Sequence, residues 1–479
     1  MSKAINPQPM LRLRRNPLAA AVALALAVCG CTDTDEGPVS KAEPGPVPPA
    51  PQRPGDPDDG YDVLVNGGYI TCGMPYSAWR RAAGPRESSP ALPGRTGLNA
   101  AMPYYLTVHE NDQGVEIVST NCLWCHGGWF DGELVIGLGN ESRDFTGDPR
   151  ELVDAVGAYV SGDRQTAAWR KWAERITAVA PYMITDTVGV NPAPNATLAL
   201  IAHRDPETLE WLEEPRIAPP PSKPLPVSVP PWWRMAKKHA MFYNAMGRGD
   251  HARFMMMKSL LCTDSVKEAR AIDAMFTDVR AYIAALEAPQ YPFTVDRALA
   301  ERGKAVFDRQ CAACHGTYGR DGRYPNLVVD LETVGTDPAY ALQAYEASDR
   351  FMDWFNRSWY GEISRARPAP GYLAPPLDAV WATAPFLHNG SVPTIEALLH
   401  SSKRPAYWIR RPDAESFDTM ALGLRYDALP HGKRGTSDPE QRERVYDTTL
   451  PGYSNAGHTF GDKLDDAQRK AVIEYLKTL

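Results

Sequence analysis

Two short runs carry the most specific chemistry in this chain: Cys122-Leu123-Trp124-Cys125-His126 and Cys311-Ala312-Ala313-Cys314-His315. A thiol pair at this spacing, followed at once by an imidazole, suits one reaction well. Each thiol adds to one vinyl group of a haem, and the His ligates the iron. Each run therefore implies one covalent c-type haem, with His126 and His315 as proximal ligands. A zinc site would need a second ligand pair near each run, and the sequence offers none. A redox dithiol does not require the His, let alone twice.

The second axial position of each iron separates electron transfer from catalysis. A His or Met there closes the iron, whereas an open position admits oxygen or peroxide. For the second site the candidates are His388, His400, Met420, His431 and His458. His458 is preferred, because it lies in a Gly-flanked loop just before the last helix and Gly permits close backbone approach. His388 and Met420 are the main alternatives. For the first site His109, His203, His239 and His251 are all candidates. Alternatively, Trp232-Trp233 and Phe242 could wall an apolar pocket over an open iron, or they could simply be core.

These residues must be held by helices. A stretch from Trp232 reads as a helix with Met235, His239, Phe242 and Met246 on one face. Ser265 and Glu268 match a capping box opening a helix to Leu286, which Pro289 and Pro292 terminate. Another helix runs from about Arg297 into the second motif, and a last one spans Asp466 to Thr478, with Asp465 and Gln468 as its box. Pro149 to Ala180 reads as partly helical and Leu134 to Leu138 as a short strand. Pro219 to Pro231 holds seven prolines and reads as a stiff extended crossing. The expected fold is mainly α: two cytochrome c-like haem domains with long loops and few short strands. The boundaries are 61–290 for the first domain and 291–479 for the second.

Ahead of these domains, Arg12, Arg14 and Arg15 precede an apolar run, Leu18 to Val28, too short to span a bilayer. Val28-Cys29-Gly30-Cys31 resembles a lipobox, with Cys31 as the acylated residue. Residues 1–31 thus read as a lipoprotein-type signal and 32–60 as a disordered Pro-rich acidic tether. Export to the periplasm or cell envelope follows, and Thr32 after Cys31 favours the outer membrane. Of eight cysteines, Cys72 and Cys262 remain, either as a disulfide or as two buried thiols. The net charge of −7 and the lack of a basic block argue against a nucleic-acid partner.

The block from Tyr372 to Thr394, including Ala384-Pro385-Phe386-Leu387-His388-Asn389-Gly390, resembles the bacterial di-haem peroxidase superfamily, and most closely its rubber oxygenase-like branch. Asn121 to Gly128, Gly137-Leu138-Gly139-Asn140 and Gly457-His458-Thr459-Phe460-Gly461 fit the same branch. The resemblance implies two c-type haems. The C-terminal one is bis-His, with His458 distal. The N-terminal one has an exchangeable oxygen-binding site, with Trp233 and Phe242 approximating its distal aromatics. It also implies a haem-dependent oxidoreductase using a small oxidant and a periplasmic redox partner. The acid–base carboxylate of di-haem peroxidases has no match here. The rival is a pure electron carrier with both irons six-coordinate. A less favoured third reading gives both haems a structural role only.

Overall fold

The computed structural model describes residues 41–84, 89–411 and 417–479. The signal segment, Cys31 and the start of the tether lie outside these residues. The described residues, from Lys41 onward, form one compact unit. Helix predominates, at 42% against 13% strand. Strands are more numerous than expected, arranged in six small sheets of two or three strands among the described residues.

Two apolar cores underlie the two motifs. The first gathers Leu64, Tyr69, Phe254, Ile272, Phe276 and Ile283, and also draws in Phe351, Trp354 and Phe355 from far along the chain. Phe355 stacks on Phe254 at 4.4 Å. The second core holds Trp233, Phe307, Trp381, Ile395, Val472 and Tyr475. Its frame is the crossing of helix Arg297–Gln310 with helix Asp466–Leu476. Gly303 makes that crossing close: a Cβ there would stand 1.8 Å from the Ala471 carbonyl oxygen. Both halves of the Asp465/Gln468 capping box are formed.

Helix Val266–Ala285 starts at Ser265, whose hydroxyl accepts from the Glu268 N–H. The Glu268 carboxylate turns instead to the Asp264 N–H. Helices Pro149–Gly157 and Asp163–Val179 fill the expected helical stretch. Strand Glu133–Ile136 pairs with Gly127–Phe130, directly after the first motif. Cys72 and Cys262 form a disulfide.

Two expectations are corrected. The tether does not extend to Gly60. From Lys41 the chain is an extended strap, with Gly45–Pro46 paired to the strand at Val328 and Leu327. Arg53 inserts between the buried carboxylates of Asp250 and Asp273 at 3.0 and 2.7 Å. Proline-rich chain needs no internal hydrogen bonds, so it packs wherever buried acids supply a partner. Likewise, the helix from Trp232 ends as a short 3-10 turn at Lys237. The His239 N–H is claimed by Asn326 and its ring by the Val47 carbonyl. Phe242 then adopts a left-handed backbone, φ 68°. These long-range partners override the helical periodicity.

Candidate haem centres

At the second motif, helix Arg297–Gln310 delivers Cys311, Cys314 and His315 to one edge of the second core. His315 Nδ1 lies 2.9 Å from the Pro375 carbonyl, so it donates there and leaves Nε2 free for a metal. The segment Pro375–Asp378 is a hub. The Leu377 N–H donates to the Tyr318 hydroxyl, which itself donates to the His315 carbonyl. The Asp378 carbonyl accepts from both Trp233 Nε1 and Arg234 Nε.

His458 faces His315 with ring centroids 6.1 Å apart. With metal–nitrogen bonds of about 2 Å and roughly 1.1 Å from nitrogen to ring centre, two imidazoles sharing one iron sit about 6 Å apart. The separation therefore fits a single iron. His458 reaches this place through a left-handed backbone, φ 47°. Gly457 packs so tightly on Gly335 that a Cβ would fall 2.1 Å from its carbonyl carbon. The glycines thus allow backbone to approach backbone. Arg404 ties the loop down through the carbonyls of Asn455, Gly457 and His458. Burial, then His315 and Arg404, push the His458 ring down to about 3, which keeps it neutral and able to coordinate.

The alternative ligands lie elsewhere. His388 stacks on Tyr372 at 4.0 Å, with Tyr340 and Tyr243 beyond. Met420 is 78% exposed, on a surface turn. His431 is also exposed.

At the first motif, Cys122, Cys125 and His126 form a short helical turn, which the Tyr69 hydroxyl steadies by accepting the Cys122 N–H at 3.0 Å. The Lys258 ammonium donates to the Thr120 and Asn121 carbonyls, both at 3.0 Å. Trp232 stacks on His126 at 4.7 Å and 25°. Burial, then Lys258, push His126 down to about 3. The Pro230 carbonyl faces this ring, but Nδ1 is buried without a full hydrogen bond. A backbone carbonyl in that place is the kind of partner to which a metal-ligating histidine donates its other ring N–H, although the bond is not closed here.

Of the candidate sixth ligands, His203 stacks on Trp211 and contacts the Leu212 carbonyl. His239 is held by Val47. His109 sits in strand Leu106–Glu110 against Gly68. His251 is buried at the start of a short helix. Among the described residues no imidazole comes within 6 Å of the His126 ring; its ring neighbour is Trp232.

Of the two expected distal aromatics, Phe242 stays in the first core and Trp233 does not. Trp233 belongs to the second core and bonds to Asp378. Successive residues of a 3-10 turn project about 120° apart, so Trp232 and Trp233 face different cores. Phe242 packs edge-on against Phe254 at 5.8 Å. Lys258 and Arg404 are the partners that sequence reasoning missed, and neither had a visible signal; Trp232, named there with Trp233, is the ring that meets His126.

Free cysteines at both motifs, neutral buried imidazoles beside them and an iron-sized gap at His315–His458 all suit covalent haem. Known families agree. Residues 300–375 match the cytochrome c family model, and residues 371–409 match the model described as RoxA-like, cytochrome c-like. The chain carries a cytochrome c domain of the cytochrome c superfamily, and such a domain binds c-type haem covalently. Two curated relatives come from Sinorhizobium fredii, the uncharacterized proteins y4iM and y4iJ. The first is 33% identical over 44% of this chain and 56% of its own length. The second is 31% identical over 40% of this chain and 41% of its own length. The chain therefore spans about half the length of these relatives.

Proposed function

We propose that the chain is an exported di-haem c-type cytochrome of the di-haem peroxidase superfamily, nearest its rubber oxygenase-like branch, acting as a haem-dependent oxidoreductase. Cys122, Cys125 and His126 hold a first haem open to dioxygen or peroxide. Cys311, Cys314, His315 and His458 hold a second haem that transfers electrons. Bound haem would supply a redox-active iron at each site and an exchangeable coordination position at the first.

The observation that carries this reading is the unequal ring environment. His315 has an imidazole opposite it at 6.1 Å, whereas among the described residues the ring beside His126 is a stacked tryptophan. Residues of the chain supply the rest. Trp232 and Trp233 are consecutive, one against His126 and the other bonded to the hub that orients His315. They offer a short aromatic path between the sites. In this reading Cys31 carries the lipid that holds the protein at the cell envelope, a periplasmic redox protein or small oxidant is its partner, and nucleic acid is not.

The test is the spin state of the purified protein. One high-spin and one low-spin ferric signal are expected, with carbon monoxide binding at one haem after reduction. Two low-spin signals with no ligand binding would overturn the reading in favour of a pure electron carrier.

A further inference from the structure

The two motifs are not electrostatically alike. Lys258 is held against the first motif by the carbonyls of Thr120 and Asn121, the two residues immediately before Cys122. Its charge reaches Cys122, Cys125 and His126, whereas Arg143 and the opposing carboxylate of Glu141 act more weakly and on Cys125 alone of the three. Among the described residues no carboxylate pairs with it. At the second motif, burial and the neighbouring Cys314 act on Cys311, and burial alone acts on Cys314. The cation that acts on His315 is Arg234, which is tied to the Asp378 carbonyl and feels the Asp378 carboxylate.

We infer that Lys258 is a fixed cation that raises the reduction potential of the first haem relative to what its surroundings would otherwise set. This rests on the proposal that the first motif carries a haem. The sign follows from charge: ferric haem bears one more positive charge than ferrous haem, so a nearby cation disfavours the oxidised form. A low-dielectric interior keeps that interaction strong. The haem's own carboxylates do not cancel it. Thioethers form at the vinyl groups and the propionates leave from the other half of the ring, so an ammonium at the cysteines stands at the far edge from them. Lys258 is therefore a positioning and tuning residue, and it need not touch the reacting atoms.

The experiment is a spectroelectrochemical titration of the full-length protein and its Lys258→Met, Lys258→Gln and Lys258→Arg variants. Intact mass first establishes the number of haems; a wild-type mass with one haem would defeat the di-haem reading itself, independently of Lys258. Met and Gln should lower the midpoint of the first haem and leave the second unchanged. Gln keeps an N–H donor for the two carbonyls, so a drop in Gln isolates charge from hydrogen bonding. Arg should stay close to wild type. An unchanged first midpoint in Met or Gln would overturn the inference, as would an equal shift of both haems. A folded variant lacking only the first haem would also overturn it, making Lys258 a residue of attachment instead. If neither neutral variant folds, Arg decides: a large drop despite the retained charge overturns the inference, and a retained midpoint supports it.

Discussion

Gly303→Ala tests whether the helix crossing sets the geometry of the second haem site. The added methyl would stand 1.8 Å from the Ala471 oxygen and 2.4 Å from its carbonyl carbon. Ordinary carbon–oxygen contact is about 3.2 Å or more, so helices Arg297–Gln310 and Asp466–Leu476 must separate by more than about 1 Å. The obstacle is backbone and cannot rotate away, so the cost belongs at the upper end of overpacking, about 3 kcal/mol. Ala is better than Gly inside a helix by about 1 kcal/mol, which leaves a net loss of about 2 kcal/mol. A cooperative unit of roughly 440 residues carries about 0.9 kcal/mol/K of unfolding entropy, so the melting temperature should fall by about 2 °C. The more telling readout is local. His315 follows the first helix and His458 precedes the second, so parting them stretches the 6.1 Å ring separation. The low-spin signal of one haem should weaken or become heterogeneous while the other stays unchanged. Calorimetry and ferric EPR on the same sample decide it. An unchanged or raised melting temperature with intact low-spin signal would show slack in the crossing and refute the packing argument.

His458→Ala should convert one low-spin haem to high spin and leave the other spectrum untouched; if both spectra persist, His458 is not the ligand. Breaking the disulfide with Cys262→Ser removes a cross-link between residues 190 apart and should cost about 2–5 kcal/mol in urea unfolding, an effect absent under reducing conditions. Asp264 supplies a pH signature. Burial pushes its carboxyl up, but Lys171, Arg175 and Arg204 outweigh burial and hold it down to about 2 from 3.8. A depressed folded value means the contribution is full above about pH 4 and lost as pH falls through about 2. Asp264→Asn should therefore flatten the acid limb of the stability curve in that window, whereas an unaltered acid limb would show that these ion pairs contribute nothing there.

Local rules held where the deciding partners are close in sequence. Asp465 and Gln468 cap a helix from three residues apart, and the Cys-x-x-Cys-His runs define their own turns. Rules failed where the partner is distant. Nothing near His239 announces that Asn326 and Val47 will end its helix, 87 and 192 residues away. The strap at Arg53 is likewise legible only once Asp250 and Asp273 are beside it. Lone basic residues such as Lys258 and Arg404 carry no pattern, because what matters is the carbonyls they meet. Trp232 and Trp233 show the finest limit. The pair was visible, but which ring meets which site is set by distant partners, His126 for Trp232 and Asp378 for Trp233.

At the second site the conspicuous His388 stacks on Tyr372, while the less conspicuous His458 is the ring that faces His315. His388 lies in the most family-like block of the chain, yet its ring is taken up by Tyr372. That block acts instead through its backbone, with the Pro375 carbonyl orienting His315 and the Asp378 carbonyl fixing Trp233 and Arg234. His458 contributes through an unfavourable backbone conformation, which a non-Gly residue adopts only when its surroundings impose it. Val334, Arg404 and the Gly457–Gly335 approach are those surroundings. A ligand held by so many backbone contacts suits an iron whose coordination stays fixed through a redox cycle. Among the described residues no comparable restraint places a ring opposite His126, and on that difference rests the proposal that the first site is the reactive one.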